Sequence, residues 1–360
     1  MSSAAPASPA AAALHAAVVP VVPLTVAGTA MGGRLLVHLD IDAAGPGVAG
    51  RMPERFPAGS PRHLFGRASD PERAGRIVIS RVRRWSDQIS RRVASSQLTA
   101  LNVDPSAEVA VRPALAAALH AARLAADASE QLVDVTLLAE RLAAEGLLEG
   151  SATLASSSVA AAGGRSTWTM TPTRRGSALV QRVPDVRIDL DGVGKGWLAD
   201  RALALLEEWP GAIVDADGDL AIRTAPGRHW EIAIDDQRAT TDGDPDAALA
   251  ILHLPSLDGL PTRWGVATSG RSVHRWSVGG ELRHHLIDPR TRRSAQTDVI
   301  QATVIAESAL RAEALAKAAV IAGSAAGFAL LARANVRGAV LLTERGQVLA
   351  LPQTGKLLAS

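Results

Sequence analysis

Beyond residue 184 the apolar positions fall in short runs, the pattern of a chain rich in short strands. The runs predict strands at 186–190, 212–223, 230–235, 248–254, 264–269, 282–287, 299–306, 338–343 and 346–351. Two stretches of helical pattern interrupt them, 196–208 and 308–333, the second broken near Gly323. Upstream, LLVHLDI (35–41) reads as the first strand and 108–128 as a helix. Within that helix, 114–126 is almost purely Ala and Leu apart from His120 and Arg123, which suits a buried element. Many strands, few helices and no regular βα alternation predict an α+β fold, with mixed or antiparallel sheets flanked by helices.

Composition adds limits to that picture. The 360 residues are 47% hydrophobic, enough for a substantial core. The formal net charge is only +2, and only three of the 38 Lys and Arg side chains are lysines. The absence of cysteine excludes disulfides, thiolate catalysis and Cys-based metal sites. Three Phe, seven Trp and no Tyr argue against a platform of stacked aromatics for nucleic acid. Eleven arginines face four acids between Arg51 and Arg92, which reads as a solvated basic surface, without the interleaved aromatics of a nucleic-acid patch.

The expected organisation is a flexible Ala/Pro-rich leader (1–28), one domain (29–352) with an irregular Arg/Pro-rich insertion (44–75), and a short tail (353–360). The leader has no Lys or Arg before Arg34, so it lacks the positive start of a secretory signal, and its prolines argue against a spanning helix. A cytoplasmic location and no membrane span are the expectation.

The densest chemistry lies in VRIDLDGVGKGWLADRALALLEE (186–208). An expected strand ends at Asp189 and Asp191, which project to one side because they are two residues apart. A glycine turn then opens a helix. Free backbone amides, the helix dipole and the Lys195 ammonium together read as a seat for phosphate or another anion. In VATSG (266–270), Thr268 and Ser269 offer hydroxyl donors to a phosphate or flavin, or simply close a turn. DADGDLA (215–221) is too short for a calcium loop and lacks its distal glutamate.

Several motifs, taken in order, resemble the FAD:protein FMN transferase (ApbE) family. They are Ala30-Met31-Gly32, Ser90-Arg91 followed by Ser96-x-Leu98-x-x-Leu101-Asn102, Asp134-x-Thr136, the DLDGVGKG block with Asp200, Gly218-Asp219, ATSG (267–270), HLIDPRT (285–291) and Ala312-Glu313-Ala314-Leu315. The set covers about residues 30–345. The resemblance implies a T-fold-type architecture. It also implies a reaction in which a Thr or Ser hydroxyl of an acceptor flavoprotein attacks the FMN-side phosphorus of FAD and AMP leaves. By the same resemblance, Met31, Arg92, Leu132, Val133, Asp134, Asp189, Lys195, Thr268, Ser269 and His285 seat the dinucleotide. His285 would serve as general base or orient the hydroxyl, since histidine titrates near neutrality. Gly192, Glu313 and Lys317 stand at the positions of the family's Mg²⁺ ligands. His284 reads as structural.

The chain departs from the family where the metal should bind. An Asp and a Thr one helical turn apart are replaced by Glu313 and Lys317, and a protonated lysine cannot coordinate Mg²⁺. Three readings stand: an exposed i,i+4 ion pair, an ammonium in the place of the metal, or Mg²⁺ held by Glu313, carbonyls and the diphosphate. That two of only three lysines fall at site positions favours the second. Arg92 stands for the usual aromatic and can stack on a ring system. Arg292 stands for a glycine, Asp217 for the first glycine of the family's GGD segment, and Gln131-Leu132-Val133 for GAF. These departures keep two alternatives open, a non-catalytic flavin-binding protein and an FAD pyrophosphatase giving FMN and AMP.

Overall fold

The computed structural model describes residues 19–43, 70–147, 167–183, 185–238 and 248–359. In chain order the first half forms β1 (Val19–Pro20), β2 (Leu24–Ala30), β3 (Gly33–Leu39), α1 (Pro71–Ile89), α2 (Gln97–Val103), β4 (Glu108–Val111), α3 (Pro113–Ala128), α4 (Leu138–Ala144), β5 (Trp168–Pro172) and β6 (Ala178–Arg182). Next come α5 (Gly194–Ala204), β7 (Ala212–Ala216), β8 (Asp219–Thr224), β9 (Arg228–Asp235), β10 (Ala248–Pro255) and β11 (Thr262–Gly270). The rest is β12 (Arg275–Val278), β13 (Glu281–His284), β14 (Ile287–Asp288), β15 (Arg293–Ser294), β16 (Val299–Ala306), α6 (Ala309–Ala322), α7 (Ser324–Arg333), β17 (Gly338–Thr343) and β18 (Val348–Ala350).

An eight-stranded sheet, β18-β17-β16-β11-β8-β7-β3-β2, joins the two halves, and every neighbouring pair in it is antiparallel. Alternation sends its side chains to two cores. On one face Leu35, Val37, Val214 and Ala221 pack under α1, α3 and α5, while Val304, Ala306, Ala339 and Leu341 pack under α6 and α7. On the other face Ile213, Ile222, Trp264, Val266 and Ile305 meet Trp230, Ile234, Leu252 and Leu254 of the β9–β10 ribbon. The α+β class expected from the sequence is the class found.

Two glycines let the site's helices approach closely. A Cβ on Gly265 would lie 2.0 Å from the Ser308 carbonyl, so only glycine lets the start of α6 lie on β11. A Cβ on Gly196 would lie 2.7 Å from the Ala309 carbonyl, so the starts of α5 and α6 touch backbone to backbone.

Several boundaries differ from expectation. Residues 212–223 are not one strand but the hairpin β7–β8, turned at Asp217 and Gly218, both with positive φ (58° and 94°). That is the Asp-Gly signature of a two-residue hairpin loop. Residues 186–190 form no strand. The Asn102 side chain takes the place of a neighbouring strand, accepting from the Ile188 amide at 2.8 Å and donating to its carbonyl at 2.8 Å. Residues 108–128 divide into β4 and α3 because Pro113 starts the helix. Of the expected leader, residues 1–18 lie outside the described residues, but β1 and most of β2 fall inside it. Residues 44–69 of the expected insertion also lie outside. Its end, 70–75, is the capped start of α1, with Asp70 accepting from the Arg73 amide at 3.1 Å. The Ser/Ala/Gly-rich stretch 151–165, whose composition predicts a loop, is outside as well. Among the described residues no helix is long and apolar enough to cross a membrane.

Candidate functional site

At one end of the large sheet, the turns between β2 and β3 and between β7 and β8, the start of α5 and the inner face of α6 open a cleft of about 1260 Å³. Lys195 enters it from α5, Glu313 and Lys317 from α6, Thr268 and Ser269 from β11, His285 from the β13–β14 connection, and Met31 and Arg92 from its rim. A second cavity of about 80 Å³ adjoins, lined by Leu132, Val133, Asp134, Asp189 and Gly192. Arg141, Asp191, His285 and Lys317 line both cavities. Every residue expected at the site therefore lines one cavity or the other, and His285 and Lys317 stand between them.

The cationic end is tightly organised. Lys195 Nζ lies 2.6 Å from Asp217 Oδ2. Burial works against the Lys195 charge, but the hydrogen bond it donates to Asp217 and the charges of Asp219, Asp217 and Glu313 outweigh it and raise the pKa. One turn into α6, the wholly buried Glu313 accepts from Lys317 Nζ at 2.6 Å and from the Gly196 amide at 2.9 Å. Asp219, also buried, has its carboxyl pushed well above the usual range by desolvation and by the Glu313 charge.

This geometry corrects the expectation of free amides at two of the residues that start α5. The Gly194 amide donates to the Leu190 carbonyl at 2.8 Å and the Gly196 amide to Glu313. The positive character of the cleft comes from side chains instead. Glu313–Lys317 is also not an exposed pair: the two side chains are 0% and 13% exposed.

The same contacts test the site for Mg²⁺. A hard divalent ion needs several oxygen donors. Both Glu313 oxygens are engaged, and the second family position presents an ammonium. That donor set does not fit Mg²⁺.

Asp189 and Asp191 do project to one side, but toward an arginine. Arg91 Nε lies 3.3 Å from Asp189 and 3.4 Å from Asp191, and its Nη2 lies 2.9 Å from Glu145. Arg92, more than half exposed, reaches Asp191 at 3.1 Å. Burial, then the Asp191 charge, pushes Asp189 up to about 6 against the pull of Arg91. Asp134 holds a local turn, accepting from the Thr136 amide at 2.8 Å and hydroxyl at 2.7 Å. Thr268 shares a 2.8 Å bond with Thr303 across β11 and β16.

The two neighbouring histidines separate cleanly. His284 Nε2 donates to the Ala295 carbonyl at 3.0 Å, and its Nδ1 accepts from the Leu286 amide at 3.3 Å, so that ring is structural. His285 Nδ1 is buried with no hydrogen-bond partner among the described residues. Desolvation, helped by Arg141 and Lys317, pushes His285 down to about 2. Its imidazole is neutral in the free protein, contrary to the expectation of titration near neutrality.

The sequence reading missed Arg141, whose Nη1 donates to the His285 carbonyl at 3.2 Å, and His274, edge-on to His285 with ring centroids 5.3 Å apart. Arg141 pairs with Glu145 at i,i+4, which in a sequence looks like any surface helix pair. His274 has φ 51° and carries no motif.

Comparison with known proteins bears on this cleft. Residues 66–341 match the model of the ApbE family. The FAD:protein FMN transferase of Salmonella typhimurium is 32% identical over 145 residues, which cover 39% of this chain and 38% of the relative. The chain thus matches well under half the length of that curated relative. Among solved structures, the ApbE protein of Thermotoga maritima superposes with a TM-score of 0.69 at 20% identity, covering 94% of this chain and 100% of the other. Flavin transferase ApbE from Vibrio cholerae gives 0.65 at 18% identity, with 94% and 100% covered. At those identities the likeness is one of fold.

Proposed function

The chain belongs to the ApbE family, and from that premise we propose that it moves FMN from FAD to a Thr or Ser hydroxyl of an acceptor flavoprotein, releasing AMP. The observation that carries this reading is the convergence of Lys195, His285 and the Glu313–Lys317 pair, from three separate stretches, on one cleft.

The hydroxyl oxygen forms a bond to the FMN-side phosphorus as the diphosphate bridge breaks, and AMP leaves with the bridging oxygen. Such a transfer requires charge neutralisation and alignment of the nucleophile. Lys195 and Lys317 supply the positive charge. Arg92 and Met31 at the rim, Leu132, Val133 and Asp134 in the adjoining cavity, Asp189 and the Thr268 and Ser269 hydroxyls seat the flavin nucleotide. Neutral His285 has an unpartnered ring nitrogen able to accept the hydroxyl hydrogen. A bound diphosphate offsets the charges of Arg141 and Lys317 and raises the ring's proton affinity, so the proton passes through it toward the departing phosphate. No step is assigned to Mg²⁺.

The test is incubation with FAD, with and without an acceptor peptide. AMP with covalent flavin on the peptide supports transfer. AMP with free FMN means hydrolysis. Bound FAD with neither product means a binding protein, the second reading, which the Glu313–Lys317 ion pair at the family's metal positions favours.

A further inference from the structure

On the outer face of the β9–β10 ribbon, away from the large sheet, three side chains of metal-ligand chemistry meet. His229 and Glu231 are two apart on β9 and so share a face. Antiparallel register sets His253 of β10 opposite Glu231 and Pro255 opposite His229. The alternate residues, Trp230, Leu252 and Leu254, fill the core on the inner face. Glu231 Oε1 lies 3.5 Å from His229 Nε2 and 3.4 Å from His253 Nε2. The three ligand atoms all lie within 4.8 Å of one another, and this is the one group of three or more such residues found among the described residues.

We propose that His229, Glu231 and His253 bind one Zn²⁺ per chain, independently of the flavin cleft's cations. A tetrahedral zinc ion with nitrogen and oxygen ligands at about 2.0–2.1 Å has ligand-to-ligand edges of about 3.3 Å. Both carboxylate-to-imidazole distances match that edge before any ion is added. Two imidazoles and one carboxylate suit zinc, whereas Mg²⁺ and Ca²⁺ take all-oxygen sets. The His229 side chain is 12% exposed, Glu231 53% and His253 41%, so one ligand is seated and two are reachable. Three protein ligands leave a fourth position for water on the exposed side. The ion would tie β9 to β10. β9 lines the cleft from Trp230 to Asp235, so the tie would stiffen one wall of the flavin site.

The experiment uses the full chain stripped with a chelator and titrated with Zn²⁺ alone, without FAD. Calorimetry is expected to give one equivalent bound, a raised melting temperature, and a visible ligand-field spectrum when Co²⁺ replaces zinc. His229→Ala and His253→Ala are each expected to weaken binding at least about 100-fold, more than loss of an outer-shell partner does, and to abolish the melting shift. His253→Gln, at a partly exposed site, tests the same loss with little risk to folding. Sub-stoichiometric zinc binding by the wild type, or unchanged affinity in a folded His253→Gln variant, overturns the proposal. Glu231 lines the cleft but neither histidine does, so FAD affinity is compared between the metal-free wild type and the metal-free histidine variants, where equal values keep the zinc result separate from the flavin reading.

Discussion

Asp200 and Glu313 cap one another's helices. Asp200, on α5, accepts from the Ala309 and Leu310 amides at the start of α6, both at 3.0 Å. Glu313, on α6, accepts from the Gly196 amide at the start of α5 at 2.9 Å. Each carboxylate supplies the negative charge that the positive end of the other helix favours. The exchange fixes α5 against α6 and so sets Lys195 and Lys317 in the same cleft. Asp200→Ala leaves two buried donors unpaired. It is expected to lower stability by about 2–4 kcal/mol, at one to two per lost bond. Asp200→Asn keeps an acceptor oxygen for one of the two amides and sets its NH2 against the other, so it is expected to lose about half of that. Urea denaturation of the two variants checks the ordering.

Lys195 is expected to matter to binding rather than to folding. Its side chain is 28% exposed and paired with Asp217, so Lys195→Ala is expected to cost no more than about 1 kcal/mol of stability. Loss of a charge-assisted contact worth about 1.5–3 kcal/mol lowers FAD affinity by roughly 10- to 150-fold. Fluorescence titration with FAD measures it. Unchanged affinity would remove the cleft's principal cation from the binding account.

The β7–β8 turn shows how far residue types alone could be read. Asp217-Gly218 is a recognised hairpin signal, yet Ile213, Val214, Leu220 and Ile222 around it read as one apolar run, and the pattern predicts a single strand. The break at Gly323 was legible because a glycine interrupts two apolar helices, and there φ is 83°. Helix α1 was hidden by its arginines. Its buried stripe, Ala74, Val78, Ile79, Val82, Ser86 and Ile89, has clear helical spacing, but the charge count dominated the reading. The set of cleft residues came through a family resemblance. Arg141 and His274 had no such aid, and Asp200 gave no hint that its partners were amides more than 100 residues away.

Asp217 is expected to compete with the proposed ligand for Lys195. It holds Lys195 at 2.6 Å, and its φ of 58° is one that glycine adopts without strain. Asp217→Gly therefore relieves the backbone and frees the ammonium. A part-exposed pair of this kind is worth up to about 1 kcal/mol, so FAD affinity is expected to rise about 2- to 5-fold. Weaker binding in this variant would show that the carboxylate contacts the ligand instead.

Lys317 in the metal's place predicts indifference to chelators. FAD binding by the wild type is expected to be the same in EDTA and in millimolar Mg²⁺, and calorimetry in the presence of FAD is expected to show no stoichiometric Mg²⁺ uptake. Lys317→Thr removes the ammonium, restores an oxygen donor one turn from Glu313, and releases one Glu313 oxygen. In that variant FAD affinity is expected to become Mg²⁺-dependent. Tight Mg²⁺ binding by the wild type would refute ammonium substitution.

The pH dependence of stability separates His285 from the buried acids. His285 falls to about 2 in the folded protein, chiefly through burial, against an ordinary value near 6.5. Between those values the unfolded chain holds a proton that the folded chain does not, so this group's contribution to stability is present above about 6.5 and is lost as the pH falls. Asp200 and Asp189 have the opposite sign. Burial raises both to about 6, so the folded protein holds their protons more tightly and each makes stability fall as pH rises from about 4 to 6. The terms oppose one another, and the wild-type profile over that window is a difference between them. His285→Asn removes only the histidine term. Relative to wild type, the variant is expected to lose less stability on acidification from pH 6.5 to 5, by at most about 1.4 kcal/mol per pH unit. Parallel urea denaturation series of the two proteins at closely spaced pH values test it. Superimposable pH slopes would mean that the folded ring takes up its proton as the unfolded chain does, near 6.5, so that burial does not keep it neutral in acid.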